Sequence, residues 1–356
     1  DEEDQKEDFT TGQQSESILD AALTTFPARR LRWHYRSQHE SLIAFSNQAF
    51  YGSDLVIFPS PVNEAPEYGV QFTRVKRGRF VNRVNREEAE LIAKAVRKHM
   101  VTRPGESLGV VAMSAQQREQ IERAIEQETK DDRQFRDLVD RNRDQDEPLF
   151  VKNLENVQGD ERDVIYISMT YGPGEVGGKV PQRFGPINSI NGWRRLNVLF
   201  TRSKKRMHVF SSMDAEDIVI SQNSNRGVQA MKAFLDYAAT GRLAATVEHT
   251  GRDPDSDFEV AVAAALSNHG YECQPQVGVA GYFLDIAVRD PGNPGRYLMA
   301  IECDGATYHS AKSTRDRDRL RQRILERLGW RVRRIWSTDW FNNPAGQLKP
   351  IIDELN

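Results

Sequence analysis

Apolar residues form two kinds of pattern along the chain. Residues 164–168 form a short, largely β-branched apolar run bounded by charge, which predicts a buried strand. Residues 87–100 repeat apolar side chains at helical spacing, with Ile92, Ala95 and Val96 on one side, which predicts an amphipathic helix. Patterns of the first kind alternate with patterns of the second, and that alternation predicts a parallel α/β sheet.

The first two thirds of the chain contain most of these elements. Ser37 and Glu40 have the spacing of a capping box, which predicts the start of a helix there. The charged stretch over residues 130–147 is expected to be an exposed insertion or a long helix end. The predicted strands of this part cover residues 70–75, 108–113, 164–169 and 207–211. The predicted helices cover residues 87–100, 116–128, 191–201 and 227–237.

A second α/β set follows a linker. Residues 250–255, Thr-Gly-Arg-Asp-Pro-Asp, have linker composition. The predicted organisation is an acidic loop or disordered segment over residues 1–25, a first α/β domain over 26–249, this linker, and a small α/β domain over 256–356. The second domain is predicted to have helices at 257–269 and 314–328 and strands at 274–279, 283–288, 297–302 and 331–336.

Whole-chain composition excludes few functions. The 356 residues carry a net charge of −3, which argues neither for nor against nucleic acid. Two cysteines, Cys273 and Cys303, exclude a disulfide framework and a cysteine-rich zinc site. No apolar run approaches the roughly 18 residues that span a bilayer, so a cytoplasmic protein is expected. The chain opens at Asp1 without a methionine, so we expect a piece of a longer protein.

Three short stretches of the first domain carry its chemistry. Glu155-Asn-Val-Gln-Gly-Asp-Glu-Arg-Asp163 places a glycine turn and charges at the end of a predicted strand, where α/β sheets bind ligands. His34-Tyr-Arg-Ser37 lies upstream and Leu196-Asn-Val-Leu-Phe-Thr-Arg202 lies downstream. Together with segments 85–89 and 108–118, these stretches resemble the RecA-like second motor lobe of superfamily 1 helicases, in the branch of the eukaryotic nonsense-mediated decay helicase.

This resemblance implies an ATP site that the chain supplies only in part. Arg36 and Arg202 match positions that supply arginines to the nucleotide, where an arginine finger stabilises charge on the γ-phosphate. Glu161 matches a carboxylate close to the nucleotide, and Gln158 and Gly159 match the loop that couples nucleotide to nucleic acid. No G-x-x-x-x-G-K-[ST] motif occurs, so ATP with Mg²⁺ is expected only with a first motor lobe from upstream in the same protein or from another chain.

Acidic residues mark the second domain. Asp285 lies within an apolar strand, where an unpaired carboxylate is unfavourable and a divalent metal would compensate. Strand alternation places Glu302 and Asp304 on one side of another strand, and nucleases bring Asp and Glu together in this way to bind Mg²⁺ or Mn²⁺. His309 is a candidate proton acceptor or ligand, and Glu259 would complete the acidic cluster.

Each of these residues also has a plainer interpretation. Glu259 stands three residues after Ser256, so it could simply close a capping box. His309 could be an ordinary loop histidine, and Asp285 and Glu302 could be ordinary ion-paired residues. The pattern of residues leaves both interpretations open.

The second domain resembles a known nuclease family at several stretches. They are Ser256-x-x-Glu259, Gly281-Tyr-Phe-Leu-Asp285, Ile301-Glu-Cys-Asp-Gly-x-x-x-His309, Arg317-Asp-Arg-Leu-Arg-Gln322 and Gly329-Trp-Arg-Val-Arg-Arg-Ile-Trp336. The resemblance is to PD-(D/E)XK nucleases, and most of all to small domains related to very-short-patch-repair endonucleases. Asp304 occupies a position where most of these nucleases carry lysine, which leaves the general base open, with a histidine taking part of that role.

Two basic tracts are candidate contacts to nucleic acid. Residues 315–334 hold nine arginines against three acids, and residues 194–206 form a second cluster. A charge run is also typical of a solvated face, and Arg202 could be one more surface charge in the second cluster. The arginines expected to contact phosphates are Arg194, Arg195, Arg315, Arg319 and Arg323.

We therefore expect the C-terminal half of a bacterial ATP-dependent DNA helicase fused to a metal-dependent endonuclease, with a role in phage defence or DNA repair. Two alternatives stay open: a non-catalytic nucleic-acid-binding module with a degenerate motor lobe, and an RNA-directed helicase-nuclease. The retained acidic residues argue against the first alternative, and the nuclease type favours DNA over RNA.

Overall fold

The computed structural model describes residues 18–62, 67–243, 253–305 and 312–356, with the backbone alone for residues 312–317. His309, most of the predicted acidic loop and the start of the predicted linker therefore lie outside the described residues. The chain divides into two units, Asp1–Trp33 and His34–Asn356. Among the described residues, none of the helices combines the length and the apolar composition that crossing a membrane requires.

The described residues form a mixed α/β chain. The helices are α1 Ile18–Leu23, α2 Ser41–Tyr51, α3 Arg86–Thr102, α4 Ala115–Asp131, α5 Arg133–Asn142, α6 Gly192–Phe200, α7 Arg226–Thr240, α8 Asp257–Ser267, α9 Lys312–Arg327, α10 Ser337–Asn342 and α11 Pro344–Leu355. The strands are β1 Trp33–His34, β2 Val56–Ile57, β3 Gly69–Arg74, β4 Phe80–Val81, β5 Val84–Asn85, β6 Leu108–Ala112, β7 Phe150–Asn153, β8 Arg162–Ser168, β9 Ser203–Ser211, β10 Cys273–Val279, β11 Tyr282–Asp290, β12 Asn293–Asp304 and β13 Val332–Trp336.

Five parallel strands form the first sheet, in the order β3-β9-β8-β6-β7. Side chains of β8 alternate between two apolar layers: Ile165 and Ile167 pack with α2, α6 and α7, whereas Val164 and Tyr166 pack with α3, α4 and α5. The sheet is therefore covered on both faces, as parallel sheets usually are. This RecA-like layering confirms the predicted parallel α/β sheet.

Four strands form the second, smaller sheet, in the order β10-β11-β12-β13. The first three strands are antiparallel to their neighbours, and β13 runs parallel to β12. Helices α8, α10 and α11 cover one face, where Phe258, Ile301 and Trp340 share a core. Helix α9 lies beside the other face, where its Leu325 and Val332 of β13 line one cavity.

Two local predictions in the first domain are wrong. Ser37 and Glu40 form no capping box, because Ser37 Oγ lies 2.8 Å from His34 Nε2 and a Glu40 carboxylate oxygen accepts a 3.0 Å hydrogen bond from the Ser60 backbone. The charged stretch after residue 130 is also more than an insertion or a helix end. Asp132 caps a separate helix, α5, whose Phe135 is fully buried.

A fully buried carboxylate ties together the carboxyl ends of β8 and β9. Glu88 Oε1 accepts hydrogen bonds from Ser168 Oγ at 2.6 Å and from the Thr170 backbone at 2.8 Å. Its Oε2 accepts from Ser212 Oγ at 3.0 Å and from the Asn85 side chain at 3.2 Å. Thr170 has a φ of +69°, which is unfavourable for a β-branched residue, so its bond to Glu88 helps to hold this backbone turn.

Glu88→Gln is expected to destabilise the fold in a pH-dependent way. At pH 5 the raised pKa keeps the Glu88 carboxyl protonated and its oxygens still accept from these donors, whereas the NH₂ group of a glutamine amide cannot accept, so the free energy of unfolding should fall by about 1–3 kcal/mol. Burial raises the pKa of Glu88 from its ordinary 4.5 to about 7, against hydrogen bonds that lower it. The stability that wild-type Glu88 contributes is therefore present at low pH and lost as the pH rises through 7.

Urea unfolding of wild type and variant at pH 5 and pH 8 measures this effect. Because glutamine does not ionise, the difference between the two proteins should narrow at pH 8. Glu87→Gln is the matched control, because the pKa of Glu87, beside Arg79, lies below its ordinary value. The difference in free energy of unfolding between Glu87→Gln and wild type should therefore stay constant from pH 5 to pH 8. A Glu88→Gln difference that widens with pH would contradict the prediction.

Candidate functional sites

Two loops at the amino ends of β8 and β9 bring charged residues together. Glu161 immediately precedes β8 and Arg202 immediately precedes β9, and the first residues of the two strands, Arg162 and Ser203, are paired. Arg36, from the loop before α2, places its Nε 2.7 Å from Glu161 Oε2. We call Arg36, Glu161 and Arg202 the arginine cluster.

Arg202 binds uncharged oxygens within this cluster. Its guanidinium donates to the Val198 carbonyl at 2.8 Å, to Thr201 Oγ1 at 3.0 Å and to the Asp160 carbonyl at 3.4 Å. Burial lowers the pKa of Arg202, and the Arg36 guanidinium lowers it further, whereas Glu161 opposes both. Arg36 is thus ion-paired with Glu161, whereas the nearby Arg202 guanidinium is bound to uncharged oxygens, so the charge of Arg202 can be balanced by an anionic oxygen of a ligand.

The neighbouring loop leaves its backbone open. Gln158 and Gly159 are exposed, and Gly159 has a φ of +91°, where glycine is favoured, with no atom within 4 Å of the position that a Cβ would occupy. This loop and the arginine cluster lie at the amino ends of their strands. They are thus at the opposite edge of the sheet from the carboxyl ends at which ligands usually bind in open α/β folds.

The basic tract over residues 194–206 is not one continuous surface. Arg194 is exposed on α6, and Arg195 is partly buried, 3.7 Å from Glu155. Arg206, in contrast, lies inside the sheet on β9, 5% exposed and 3.8 Å from Glu106. The expectation of a tract that reaches residue 206 is wrong there, because β9 is an interior strand.

Two carboxyl groups of the candidate nuclease site lie on adjoining strands. Asp285 of β11 and Glu302 of β12 each stand one position beyond the paired residues Ile286 and Ile301. Asp285 Oδ2 accepts a 2.6 Å hydrogen bond from the Cys303 backbone. Burial raises the pKa of Asp285 to about 6, and burial together with the Asp285 carboxyl raises the pKa of Glu302 to about 7.

Tyr282 orients one of these two carboxyl groups. Its hydroxyl donates a 3.0 Å hydrogen bond to Glu302 Oε1. The ring is 8% exposed, and burial raises the pKa of the phenol, so the hydroxyl keeps its proton as a donor. Sequence reasoning missed Tyr282, although it stands three residues before Asp285 on the same strand.

A small cavity lies beside Glu302. Its volume is about 30 Å³, which is room for about one water molecule. Asp304 lines it and lies 3.0 Å from the Arg334 guanidinium, so this carboxylate is already ion-paired. Asp318 and Arg321 of α9 line it as well, 3.8 Å apart.

Asp318 is a second residue that sequence reasoning missed. It is 7% exposed, although it stands among arginines in the sequence. Helical spacing offered a signal, because Asp318 stands seven residues, two helical turns, before the buried Leu325 and therefore shares its face.

Glu259 is held by three hydrogen bonds. Its carboxylate accepts from the Asp255 backbone at 3.0 Å, from Ser256 Oγ at 3.0 Å and from the Gln276 side chain at 2.9 Å. Ser256 Oγ in turn accepts from the Glu259 backbone at 3.3 Å, as a helix cap does. These contacts favour the capping role that the sequence left open.

The donors present fit a hard divalent cation. In the part of the chain that the structure describes, no three His, Cys, Asp or Glu side chains converge closely enough to hold a metal between them. Asp285 and Glu302 nevertheless bring two carboxyl groups to one place where negative charge is disfavoured, as their raised pKa values show. Mg²⁺ is commonly bound by one or two carboxylates, with water as the other ligands.

The arginines of the C-terminal tract divide into two sets. Arg319 and Arg323 are exposed and four residues apart on α9, so they share one face of the helix. The side chain of Arg315, the third candidate, lies outside the described residues. Arg333 and Arg334 instead face acidic partners, Glu354 and Asp304.

Two family models match separate stretches of the chain. A family model described as an AAA domain matches residues 15–214, more than half of the chain. The chain belongs to this AAA-domain family. A restriction-endonuclease-like family model, REase_MTES_1575, matches residues 258–355. The chain thus joins a superfamily 1 helicase-type domain to a restriction-endonuclease-like domain, as the sequence motifs predict.

Two curated relatives extend the likeness along the whole chain. An ATP-dependent helicase of Mycoplasma pneumoniae is 27% identical over 375 residues, which cover 98% of this chain and 32% of the relative. An ATP-dependent helicase of Mycoplasma genitalium is 28% identical over 377 residues, which cover 99% of this chain and 32% of the relative. The chain therefore spans about a third of the length of these relatives.

The exposed arginines of α9 are expected to contact phosphates. An Arg319→Ala, Arg323→Ala double variant should bind duplex DNA more weakly, and its log–log salt slope should be shallower by about 2, because each lost phosphate contact removes about 0.9. Arg333→Ala is the matched control, since Arg333 is bound to Glu354. Binding titrations at several salt concentrations measure both slopes, and equal slopes in wild type and double variant would show a merely solvated face.

Proposed function

We propose that the chain is the second motor lobe and the nuclease of an ATP-dependent helicase-nuclease that cleaves DNA. The observation that carries the proposal is the pair of largely buried carboxyl groups, Asp285 and Glu302, on adjoining strands of a domain that matches a restriction-endonuclease-like family. Such a pair is unfavourable without a cation, which supports a metal-dependent phosphodiesterase.

In this proposal Asp285 and Glu302 bind Mg²⁺ or Mn²⁺. An ion bound by these residues would supply an activated water and would stabilise negative charge on the phosphate. The Cys303 backbone N–H and the Tyr282 hydroxyl orient the two carboxylates, each through one hydrogen bond. Asp304 is the third candidate oxygen ligand, in competition with its ion pair to Arg334.

Other residues hold the DNA and move the proton. Arg319 and Arg323, exposed on α9, bind the phosphate backbone of the DNA, and Arg315 is assigned the same role. His309 accepts the proton of the attacking water, because histidine exchanges protons near neutral pH. Glu259 acts on this site from a distance, since its charge is one cause of the raised pKa of Asp285.

The motor lobe is proposed to respond to ATP bound with Mg²⁺ by another lobe. Arg36 and Arg202 meet the γ-phosphate, and Glu161 holds Arg36 in place until the nucleotide arrives. Gln158 and Gly159 couple the binding of the nucleotide to the nucleic acid. The two matched relatives are named ATP-dependent helicases, which supports a role for ATP in the action of this lobe.

Cleavage is expected to depend on the carboxyl pair. Asp285→Asn and Glu302→Gln should abolish plasmid nicking in Mg²⁺ or Mn²⁺ while DNA binding persists, because the exposed arginines of α9 are unchanged. His309→Ala should lower the rate and keep metal binding. Asp290→Asn, at the far end of the Asp285 strand, is the matched control and should cut like wild type.

The same assay separates the alternatives. Nicking by wild type that survives both EDTA and Asp285→Asn would remove the metal site. Cleavage of RNA in preference to DNA would favour the RNA-directed enzyme. Failure of wild type to cut any DNA or RNA, with binding intact, would favour the non-catalytic binding module.

Arg202→Ala is expected to reduce ATP turnover by about 10³-fold, the low end of arginine-finger effects, in the protein that includes the upstream lobe. ATP binding should change less, because the finger acts on charge that develops in the transition state. Steady-state ATPase rates and nucleotide titration measure the two effects. Arg183→Ala, which removes another exposed arginine of the same lobe, is the control, and equal loss in both variants would point to general surface charge.

A further inference from the structure

A proline-containing segment of the motor lobe reaches the second sheet. This docking segment, residues 55–62, places the Pro59 carbonyl 2.9 Å from Trp330 Nε1, which donates to it. The Pro61 carbonyl accepts a 2.8 Å hydrogen bond from the Tyr297 backbone. The rings of Tyr297 and Trp330 stack with centroids 5.5 Å apart, and Trp330 is 3% exposed. The contact is therefore buried and satisfied by hydrogen bonds.

The docking segment is also fixed to the motor lobe. The buried Asn47 side chain of α2 both donates to and accepts from the Leu55 backbone, at 3.2 and 2.9 Å. Glu40, just before α2, accepts from the Ser60 backbone at 3.0 Å. Side-chain bonds at both ends hold the backbone of residues 55–60 in one position relative to α2.

One side chain of this segment packs against the nuclease site. Phe58 is 3% exposed, and its ring centroid lies 4.8 Å from that of Tyr282. The other end of Tyr282 is the hydroxyl that donates to Glu302. Arg321 of α9 lies on the Tyr282 ring at 5.5 Å. The tyrosine thus stands between the motor lobe and the candidate metal ligand.

We propose that Phe58 of the motor lobe is a positioning residue of the nuclease site, which fixes Tyr282 so that its hydroxyl holds Glu302. This inference rests on the proposed nuclease function. A tyrosine ring that loses its packing partner gains rotamer freedom, and the direction of its hydroxyl is then no longer set. Partners that hydrogen-bond a metal-ligating carboxylate typically contribute 10- to 100-fold to metal affinity or activity.

The test compares metal affinity, turnover and DNA affinity in a set of variants. Phe58→Ala and Tyr282→Phe should each weaken Mn²⁺ binding, followed by electron paramagnetic resonance, by about tenfold and lower kcat by a similar factor. KM for DNA should stay within about twofold. The double variant should resemble either single variant, because both changes act through Glu302.

Two further variants distinguish positioning from general stability. Phe58→Leu keeps an apolar side chain against Tyr282 and should restore most of the Mn²⁺ affinity. Phe341→Ala removes an exposed phenylalanine of the second domain, the domain that contains Tyr282. This variant should bind Mn²⁺ and cut like wild type. Tyr282→Phe keeps the ring against Phe58, so it reports on the hydroxyl even where Phe58→Ala does not fold.

The results separate this inference from the proposed function. Wild-type Mn²⁺ affinity in Tyr282→Phe, or in a folded Phe58→Ala, would overturn the inference whether or not the protein cuts DNA. Additive losses in the double variant would overturn it as well. The expected pattern of Mn²⁺ affinities in a protein that cleaves nothing would support the inference and would remove only the nuclease proposal.

Discussion

The pairing of β8 with β9 in the middle of the first sheet is the constraint on which the arginine cluster depends. Both strands are buried on both faces, so a slip of one residue would exchange the two apolar layers and is strongly disfavoured. The pairing of Arg162 with Ser203 therefore fixes the residues that come just before them, Glu161 and Arg202. Local charge attraction adds little to this arrangement, because Glu161 and Arg36 are more than a third exposed.

Strand pairing also decides which charged residues lie together in the second sheet, but there the residues are acids. Antiparallel pairing of β11 with β12 places Asp285 beside Glu302, and burial makes both acids harder to ionise. The first site thus has more guanidinium groups than carboxylates, whereas the second brings two carboxyl groups together, with the Arg334 guanidinium ion-paired to Asp304 beside them. In the proposed function a phosphate completes the first site and a metal ion completes the second.

Much of this architecture could be predicted from the sequence, because periodicity is a local property. The short apolar run over residues 164–168 predicted the buried strand β8, and the alternation along β12 placed Glu302 and Asp304 on one side. The failures occur where distant residues decide. Glu40 caps nothing because the Ser60 backbone binds it, Arg206 is buried because of its place in the sheet, and Tyr282 becomes important only through its hydrogen bond to Glu302.

The bond between Pro59 and Trp330 joins residues that are 271 positions apart. During synthesis, the acceptor emerges from the ribosome long before the donor does, and domains generally fold in that order, amino-terminal first. The motor lobe can therefore be folded before the last strand of the second sheet exists. If Phe58 sets the position of Tyr282, the cutting site is among the last parts of the protein to mature, and a chain that is cut short during translation carries no competent nuclease.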